Sequence, residues 1–142
     1  MKKISTIGLS FLLIMGMASC GNSQGDNEKS ATKATASIAK NISTAQFQEM
    51  IKSKENAIIL DVRTPQEVAS GAIEGNVALD YYGKSFSSEL DKLDKNAPIF
   101  IYCAVGGRSG DAMRKMQKMG FKEVYNLSGG IRAWISEGKP VK

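Results

Sequence analysis

The chain has 142 residues, a formal net charge of +5, two cysteines and no histidine. The lack of histidine excludes Ser–His–Asp and Cys–His catalysis, because both mechanisms need an imidazole. Zinc sites draw on cysteine and histidine, so two cysteines without histidine leave few options for a metal. The positive charge is spread over many lysines with no basic stripe between aromatic residues, which argues against nucleic-acid binding.

The first twenty residues have the pattern of an export signal. Lys2 and Lys3 precede an apolar stretch at residues 7–18, which is too short to span a membrane but suits the apolar region of a signal peptide. Residues 17–20, Met-Ala-Ser-Cys, resemble a bacterial lipobox. This resemblance implies a lipoprotein signal peptide at residues 1–19, a lipidated Cys20, and a cell-envelope protein facing the periplasm or the exterior. The alternative is ordinary secretion with an incidental cysteine.

The next segment, residues 20–41, is predicted to be the lipidated cysteine followed by a flexible tether. It is rich in small and polar residues and has Ile38 as its one large apolar residue. Residues 42–142 remain, which is enough chain for one domain with one core. We expect the membrane to be contacted through the lipid anchor only and the protein to be a monomer.

Helices and strands are predicted to alternate within residues 42–142. Ser43 and Gln46 have the spacing of a capping box and indicate that a helix begins there. The later predicted elements are, in chain order, strand 57–62, helix 65–70, strand 77–79, helix 85–93, strand 98–102, helix 109–119, strand 123–126 and helix 129–137. This alternation predicts an α/β fold with a mainly parallel sheet and helices on both faces.

Cys103 directly follows the apolar strand at residues 98–102 and precedes a glycine-bearing loop that opens a helix. Free backbone N–H groups and the helix dipole favour negative charge at such a position, and Arg108 adds a positive charge. Gly106 and Gly107 let successive amides turn inward. The pattern therefore predicts a populated Cys103 thiolate, which is the nucleophilic form of cysteine.

Two other interpretations of this loop are open. A cysteine after a strand is often a small core residue without chemistry. A phosphatase or arsenate reductase also combines a cysteine, loop amides and an arginine, but tyrosine phosphatases have five residues between the two. Here residues 104–107 supply four, and Tyr102 stands where those enzymes usually carry histidine. A shorter ring suits a single sulfur atom better than a phosphate.

The loop resembles the Cys-x-x-Gly-x-Arg-Ser loop of single-domain rhodanese-like sulfurtransferases through Cys103, Gly106, Arg108 and Ser109. The resemblance covers residues 41–142 and includes the segments 60–67, 71–75, 120–121, 124–127, 129–130 and 138–140, together with Trp134. The family often has histidine and proline where this chain has Ala72 and Glu74. The resemblance implies a rhodanese-like three-layer domain, with a mainly parallel sheet and helices on both faces.

The resemblance also implies a function and its site. Cys103 is the expected catalytic nucleophile, which takes sulfane sulfur from a small anionic donor, thiosulfate or a persulfide, and passes it to cyanide, a thiol or a protein thiol. The persulfide is expected to be held by the loop residues Ala104, Val105, Gly106, Gly107, Arg108 and Ser109. No metal or organic cofactor is needed. The alternative is a non-catalytic sulfur-carrier or protein-interaction module.

Two residues near the predicted site have supporting roles. Asp61 lies near the carboxyl end of a predicted strand, as a site neighbour or as a hydrogen-bonding loop residue. Arg63 and Glu67 are four residues apart around Pro65, so we expect an ion pair between them at the edge of the site.

Three further expectations concern residues outside the loop. Asp111 lies in the first turn of the helix after the loop, where its charge could complement the dipole or oppose the thiolate. Trp134 is expected on the apolar face of the last helix, together with Ile131 and Ile135. If Cys20 is lipidated, Cys103 has no disulfide partner in an oxidising compartment, which favours a reactive role.

Overall fold

The computed structural model describes residues 37–142; the predicted signal peptide, Cys20 and the predicted tether up to residue 36 lie outside the described residues. Five strands form one sheet in the order β1-β5-β4-β2-β3, and every pairing is parallel. The strands are β1 (Ile38–Ile42), β2 (Ile58–Asp61), β3 (Asn76–Ala78), β4 (Ile99–Tyr102) and β5 (Glu123–Leu127). The parallel sheet that the alternating pattern predicts is confirmed.

Four helices connect successive strands and a fifth follows β5; together they cover both faces of the sheet. They are α1 (Thr44–Ser53), α2 (Pro65–Ala69), α3 (Phe86–Asp91), α4 (Gly107–Lys118) and α5 (Gly130–Ser136). Side chains of β4 alternate between two cores: Ile99 and Ile101 pack with α3 and α4, whereas Phe100 and Tyr102 pack with α1 and α5. Because successive strand residues point to opposite faces, this alternation produces three layers, as predicted.

Strand β1 corrects one sequence-based boundary. The composition of residues 38–41 predicts a tether, but these residues form β1 together with Ile42. They pair with β5, from Ile38 opposite Glu123 to Ile42 opposite Leu127. Ile42 is the one buried residue of the strand. An edge strand is held by backbone hydrogen bonds along one side and needs few apolar side chains, so its composition resembles that of a linker.

Local sequence signals account for several helix starts. Ser43 and Gln46 form the predicted capping box of α1, and Thr64 and Glu67 form a second one at α2. Helix α4 begins at Gly107, two residues before the predicted start, because Gly106 adopts φ +98° and caps the helix in a left-handed conformation. Within residues 37–142, no helix combines the length and apolar character that crossing a membrane requires.

The fold brings the carboxyl ends of the strands to one edge of the sheet. Asp61 ends β2, Tyr102 ends β4 and Leu127 ends β5, and these strands are neighbours. The loops that follow them therefore meet at this edge, where open α/β sheets usually form their sites. Cys103 is the first residue after β4.

Candidate active site

Cys103 is the centre of the candidate site. It is 1% exposed and is the one free cysteine within residues 37–142. The Gly106 backbone N–H donates to Cys103 Sγ at 3.1 Å, and Ser109 Oγ donates to Sγ at 3.4 Å. Burial raises the pKa of Cys103, but hydrogen bonds from the Ser109 hydroxyl and from the amides of Ser109, Val105 and Gly106 outweigh it. The pKa therefore lies below the ordinary value of a cysteine.

The loop turns its amides toward sulfur because its carbonyls have partners elsewhere. The N–H groups of Ile131 and Arg132 donate to the carbonyl oxygens of Cys103 at 2.9 Å and of Ala104 at 3.2 Å. These donors lie in the first turn of α5, where backbone N–H groups lack partners within the helix. The same contacts satisfy the start of α5 and orient the loop around Cys103.

Gly130 allows this close approach of α5 to the loop. It has φ +59°, and a Cβ atom built on it would lie 2.6 Å from the carbonyl carbon of Ala104. No side chain fits in that space. In the sequence, the Gly129-Gly130 pair belongs to the segments that carry the family resemblance, but no local pattern predicts its contact with the loop after Cys103.

Hydrogen bonds to its carbonyl oxygen also fix the position of Gly106. Its carbonyl oxygen accepts hydrogen bonds from the Gly110 N–H at 3.0 Å and from Asn126 Nδ2 at 3.2 Å. A Cβ atom at Gly106 would lie 3.3 Å from the carbonyl oxygen of Leu127. The positive φ of Gly106 thus places its N–H toward Sγ and its carbonyl toward β5. Asn126 was not singled out from the sequence, which carries no signal for this contact.

Arg108 forms a bidentate ion pair with Glu67. Arg108 Nη1 lies 2.8 Å from Glu67 Oε2 and Nη2 lies 2.6 Å from Oε1. The hydrogen bonds from Arg108 lower the pKa of Glu67 to about 2, against an opposing effect of burial. The predicted Arg63–Glu67 side-chain pair is therefore wrong. Glu67 bonds to an arginine 41 positions away in the chain, and Arg63 reaches only the Glu67 carbonyl oxygen, at 2.9 Å.

Comparisons with known proteins agree with this geometry. Residues 43–137 match the model of the rhodanese-like domain. This chain belongs to the rhodanese-like family. It is 36% identical to the thiosulfate sulfurtransferase GlpE of Ectopseudomonas mendocina over 67% of this chain and 84% of that protein. It is 30% identical to a sulfurtransferase of Allochromatium vinosum over 70% and 92% of the respective chains. The crystal structure of a rhodanese-related protein from Thermoplasma volcanium superposes with a TM-score of 0.64 at 30% identity. The superposition covers 72% of this chain and 97% of that chain.

Asp61 and Arg63 lie beside the rhodanese-like loop as a buried ion pair. Arg63 Nη2 lies 2.6 Å from Asp61 Oδ2, with side-chain exposures of 5% and 0%. Arg63 also donates to the carbonyl oxygens of Glu67 and Gly71, at 2.9 and 2.8 Å. None of these bonds reaches Cys103. In this rhodanese-like domain the pair joins the end of β2 to α2, the helix that carries Glu67.

The remaining predicted residues lie around the rhodanese-like site. Asp111 pairs with Arg114 on the exposed side of α4. Ile131 and Trp134 are buried on the apolar face of α5, whereas Ile135 is exposed. Among residues 37–142, no group of three or more histidine, cysteine, aspartate or glutamate side chains could hold a metal ion.

The Ser109 hydroxyl should support the reactivity of the rhodanese-like thiol. In Ser109→Ala, one hydrogen bond to the thiolate is lost, so the pH midpoint of Cys103 reactivity should move upward. At neutral pH the rate of alkylation by iodoacetamide should fall by roughly threefold to tenfold. Ser88→Ala is the matched control, because its hydroxyl donates to the Ser85 carbonyl oxygen at an exposed position. An unchanged pH profile in Ser109→Ala would contradict the assignment.

Gly130 can be tested against a glycine with a similar backbone. Gly130→Ala should displace the Cys103–Ala104 backbone and reduce Cys103 alkylation at least tenfold, because a near-attack geometry is lost. Gly138→Ala is the control: Gly138 has φ +71°, but nothing lies within 4 Å of the added Cβ. Both variants bear the cost of a left-handed alanine, about 1–2 kcal/mol. Equal alkylation rates in the two variants would show that Gly130 does not shape the loop.

Proposed function

We propose that the protein is a sulfurtransferase that moves sulfane sulfur from thiosulfate or a persulfide donor to a thiophilic acceptor through a Cys103 persulfide. The observation that carries this proposal is the buried Cys103 thiol held by the Gly106 amide and the Ser109 hydroxyl, with its pKa lowered. Relatives that are named sulfurtransferases support the same chemistry. A single nucleophile with oriented N–H donors is sufficient for it.

The proposed reaction consists of two displacements at sulfur. The Cys103 thiolate attacks the outer sulfur of the donor, and the donor S–S bond breaks with its electron pair leaving on sulfite or on a thiolate. The new persulfide anion is stabilised by the loop N–H groups and by the Ser109 hydroxyl. A nucleophilic acceptor then attacks the terminal sulfur, and the Cys103 thiolate is regenerated.

The loop dimensions favour sulfur over phosphate. Four residues separate Cys103 from Arg108, and the Gly106 N–H already lies 3.1 Å from Sγ. Arg108 is bonded through both terminal nitrogens to Glu67, so a carboxylate already neutralises its charge. A phosphatase needs an arginine fork free to bind phosphate oxygens. A sulfur carrier would use the same persulfide but would not turn over.

Intact-mass measurement tests the central step. After incubation with thiosulfate, the protein should gain the mass of one sulfur atom, and cyanide should remove it as thiocyanate. Cys103→Ala should show neither change, because the attacking sulfur is absent. Repeated turnover with cyanide identifies an enzyme, whereas transfer of a single equivalent identifies a carrier. If the unaltered protein gains no sulfur from thiosulfate or from a persulfide, the proposed function is wrong.

We also propose that the protein is a lipoprotein of the bacterial cell envelope, anchored through Cys20 and facing the periplasm or the exterior. The support is in the sequence: Lys2 and Lys3, the apolar stretch at residues 7–18, and Cys20 directly after Ala18 and Ser19. Lipidation of Cys20 would also leave Cys103 without an intramolecular disulfide partner.

Labelling with a palmitate analogue in the producing cells tests the anchor. The full chain should incorporate the label and partition with membranes, and Cys103→Ala should behave identically because that residue lies in the folded domain. Cys20→Ser should lose the label, because its side chain cannot form the thioether to diacylglycerol. An unlabelled, cleaved and freely released full chain would instead indicate ordinary secretion.

A further inference from the structure

Arg108 is the cationic side chain of the catalytic loop, but the carboxylate of Glu67 already neutralises its charge. Its guanidinium lies 2.8 and 2.6 Å from the two carboxylate oxygens of Glu67, and the two side chains are 18% and 34% exposed. Two parallel N–H···O bonds of this kind are among the stronger ion pairs in proteins. An incoming anion therefore meets a neutral pair in place of a free guanidinium.

Glu67 is held in position independently of Arg108. Its Oε2 accepts from the Thr64 N–H at 3.1 Å and from Thr64 Oγ1 at 3.0 Å, which completes the capping box of α2. Arg63 Nη1 donates to the Glu67 carbonyl oxygen at 2.9 Å. The carboxylate is thus held by its own helix and is charged at neutral pH, because its pKa is about 2.

The neutral pair lies where it influences the reacting sulfur. Hydrogen bonds to Glu67 raise the pKa of Arg108, burial opposes this, and attraction to the Cys103 thiolate adds to the rise. The exposed ring of Tyr82 lies 5.6 Å from the Arg108 guanidinium carbon and covers one of its sides. At the sulfur itself, the observed donors are the Gly106 amide and the Ser109 hydroxyl, which carry only partial charges.

We propose that Glu67, by neutralising Arg108, sets the charge of the preferred sulfur donor and favours singly charged donors, persulfide anions and thiosulfonates, over doubly charged thiosulfate. This inference rests on the proposed sulfurtransferase function. A donor must approach a thiolate, and each negative charge on it adds repulsion that a free arginine would offset. Because Glu67 neutralises the charge of Arg108, the second negative charge of thiosulfate has no cationic partner in the loop.

Both donor classes react by the same balanced step, so only the charge differs. The Cys103 thiolate forms a bond to the outer sulfur, and the bond between that sulfur and the sulfonyl sulfur breaks. The electron pair leaves as sulfite from thiosulfate, or as benzenesulfinate from benzenethiosulfonate. Cys103 carries a persulfide anion in either case. No oxidant, reductant or proton is consumed.

The test compares these two donors with the unaltered protein and Glu67→Gln. The observable is the second-order rate constant of persulfide formation, followed by intact mass. Glu67→Gln frees the charge of Arg108, so its rate constant with thiosulfate should rise about tenfold, and that with benzenethiosulfonate should change by less than about threefold. The thiosulfate reaction of the variant should also become more sensitive to salt, since it gains an exposed charge contact.

Two further variants separate local charge from other effects. Glu123→Gln is the matched control: it removes one carboxylate from the 2.6 Å pair with Lys54, at the opposite end of the sheet, and should leave the donor preference unchanged. The double variant Glu67→Gln/Arg108→Gln has the net charge of the unaltered protein. Its donor preference should return toward that of the unaltered protein, because the freed cation is gone.

The outcomes distinguish the two proposals. If Glu67→Gln slows both donors equally, Glu67 serves only to position the loop and the inference is overturned. It is also overturned if Glu123→Gln shifts the donor preference as much as Glu67→Gln, since overall charge would then be responsible. If the unaltered protein forms a Cys103 persulfide with neither of these donors nor with a persulfide donor, the sulfurtransferase function itself fails.

Discussion

The convergence of loop amides on Cys103 Sγ is the interaction on which the rest of the site depends. A thiol with 1% exposure would ordinarily be inert, because burial disfavours its charged form. Hydrogen bonds from Gly106 and Ser109 reverse this effect and lower the pKa. The amides can point inward because the carbonyls of Cys103 and Ala104 are bonded to the start of α5. The lowered pKa of Cys103 thus depends on the Ser109 hydroxyl together with the backbone geometry of the loop.

That geometry explains why the site needs glycine at particular positions. Gly106 turns the chain so that its N–H meets sulfur while its carbonyl meets Asn126 and α4. Gly130 leaves room for the carbonyl group of Ala104, so that α5 can approach the loop. The start of α5 therefore holds the loop in place. The same hydrogen bonds satisfy the backbone N–H groups of Ile131 and Arg132, which lack partners within the helix. A side chain at either position would separate the two segments.

The sequence was sufficient to predict what depends on local pattern. Alternating apolar runs and helical periodicity predicted the parallel three-layer fold, and the Cys103 to Ser109 loop predicted that hydrogen-bond donors surround the Cys103 thiol. Contacts between distant segments had no such signal. Glu67 is four residues from Arg63, but Arg63 is occupied by the nearer Asp61, and Glu67 bonds instead to Arg108. Strand β1 was missed because its exposed edge position requires little apolar character.

Two ion pairs lie between the carboxyl end of β2 and the loop that follows β4. One pair is buried and the other is partly exposed, so their physical roles differ. The Asp61–Arg63 pair is almost fully buried, and through the Glu67 and Gly71 carbonyls it holds α2 against β2. The Glu67–Arg108 pair is partly exposed and continues this chain of contacts to the start of α4. The loop is therefore braced before any donor arrives. The loop N–H groups are already oriented because the carbonyls of Cys103 and Ala104 are bonded to α5. They would stabilise the charge of a persulfide without reorganisation of the protein, which is the condition under which fixed dipoles are most effective.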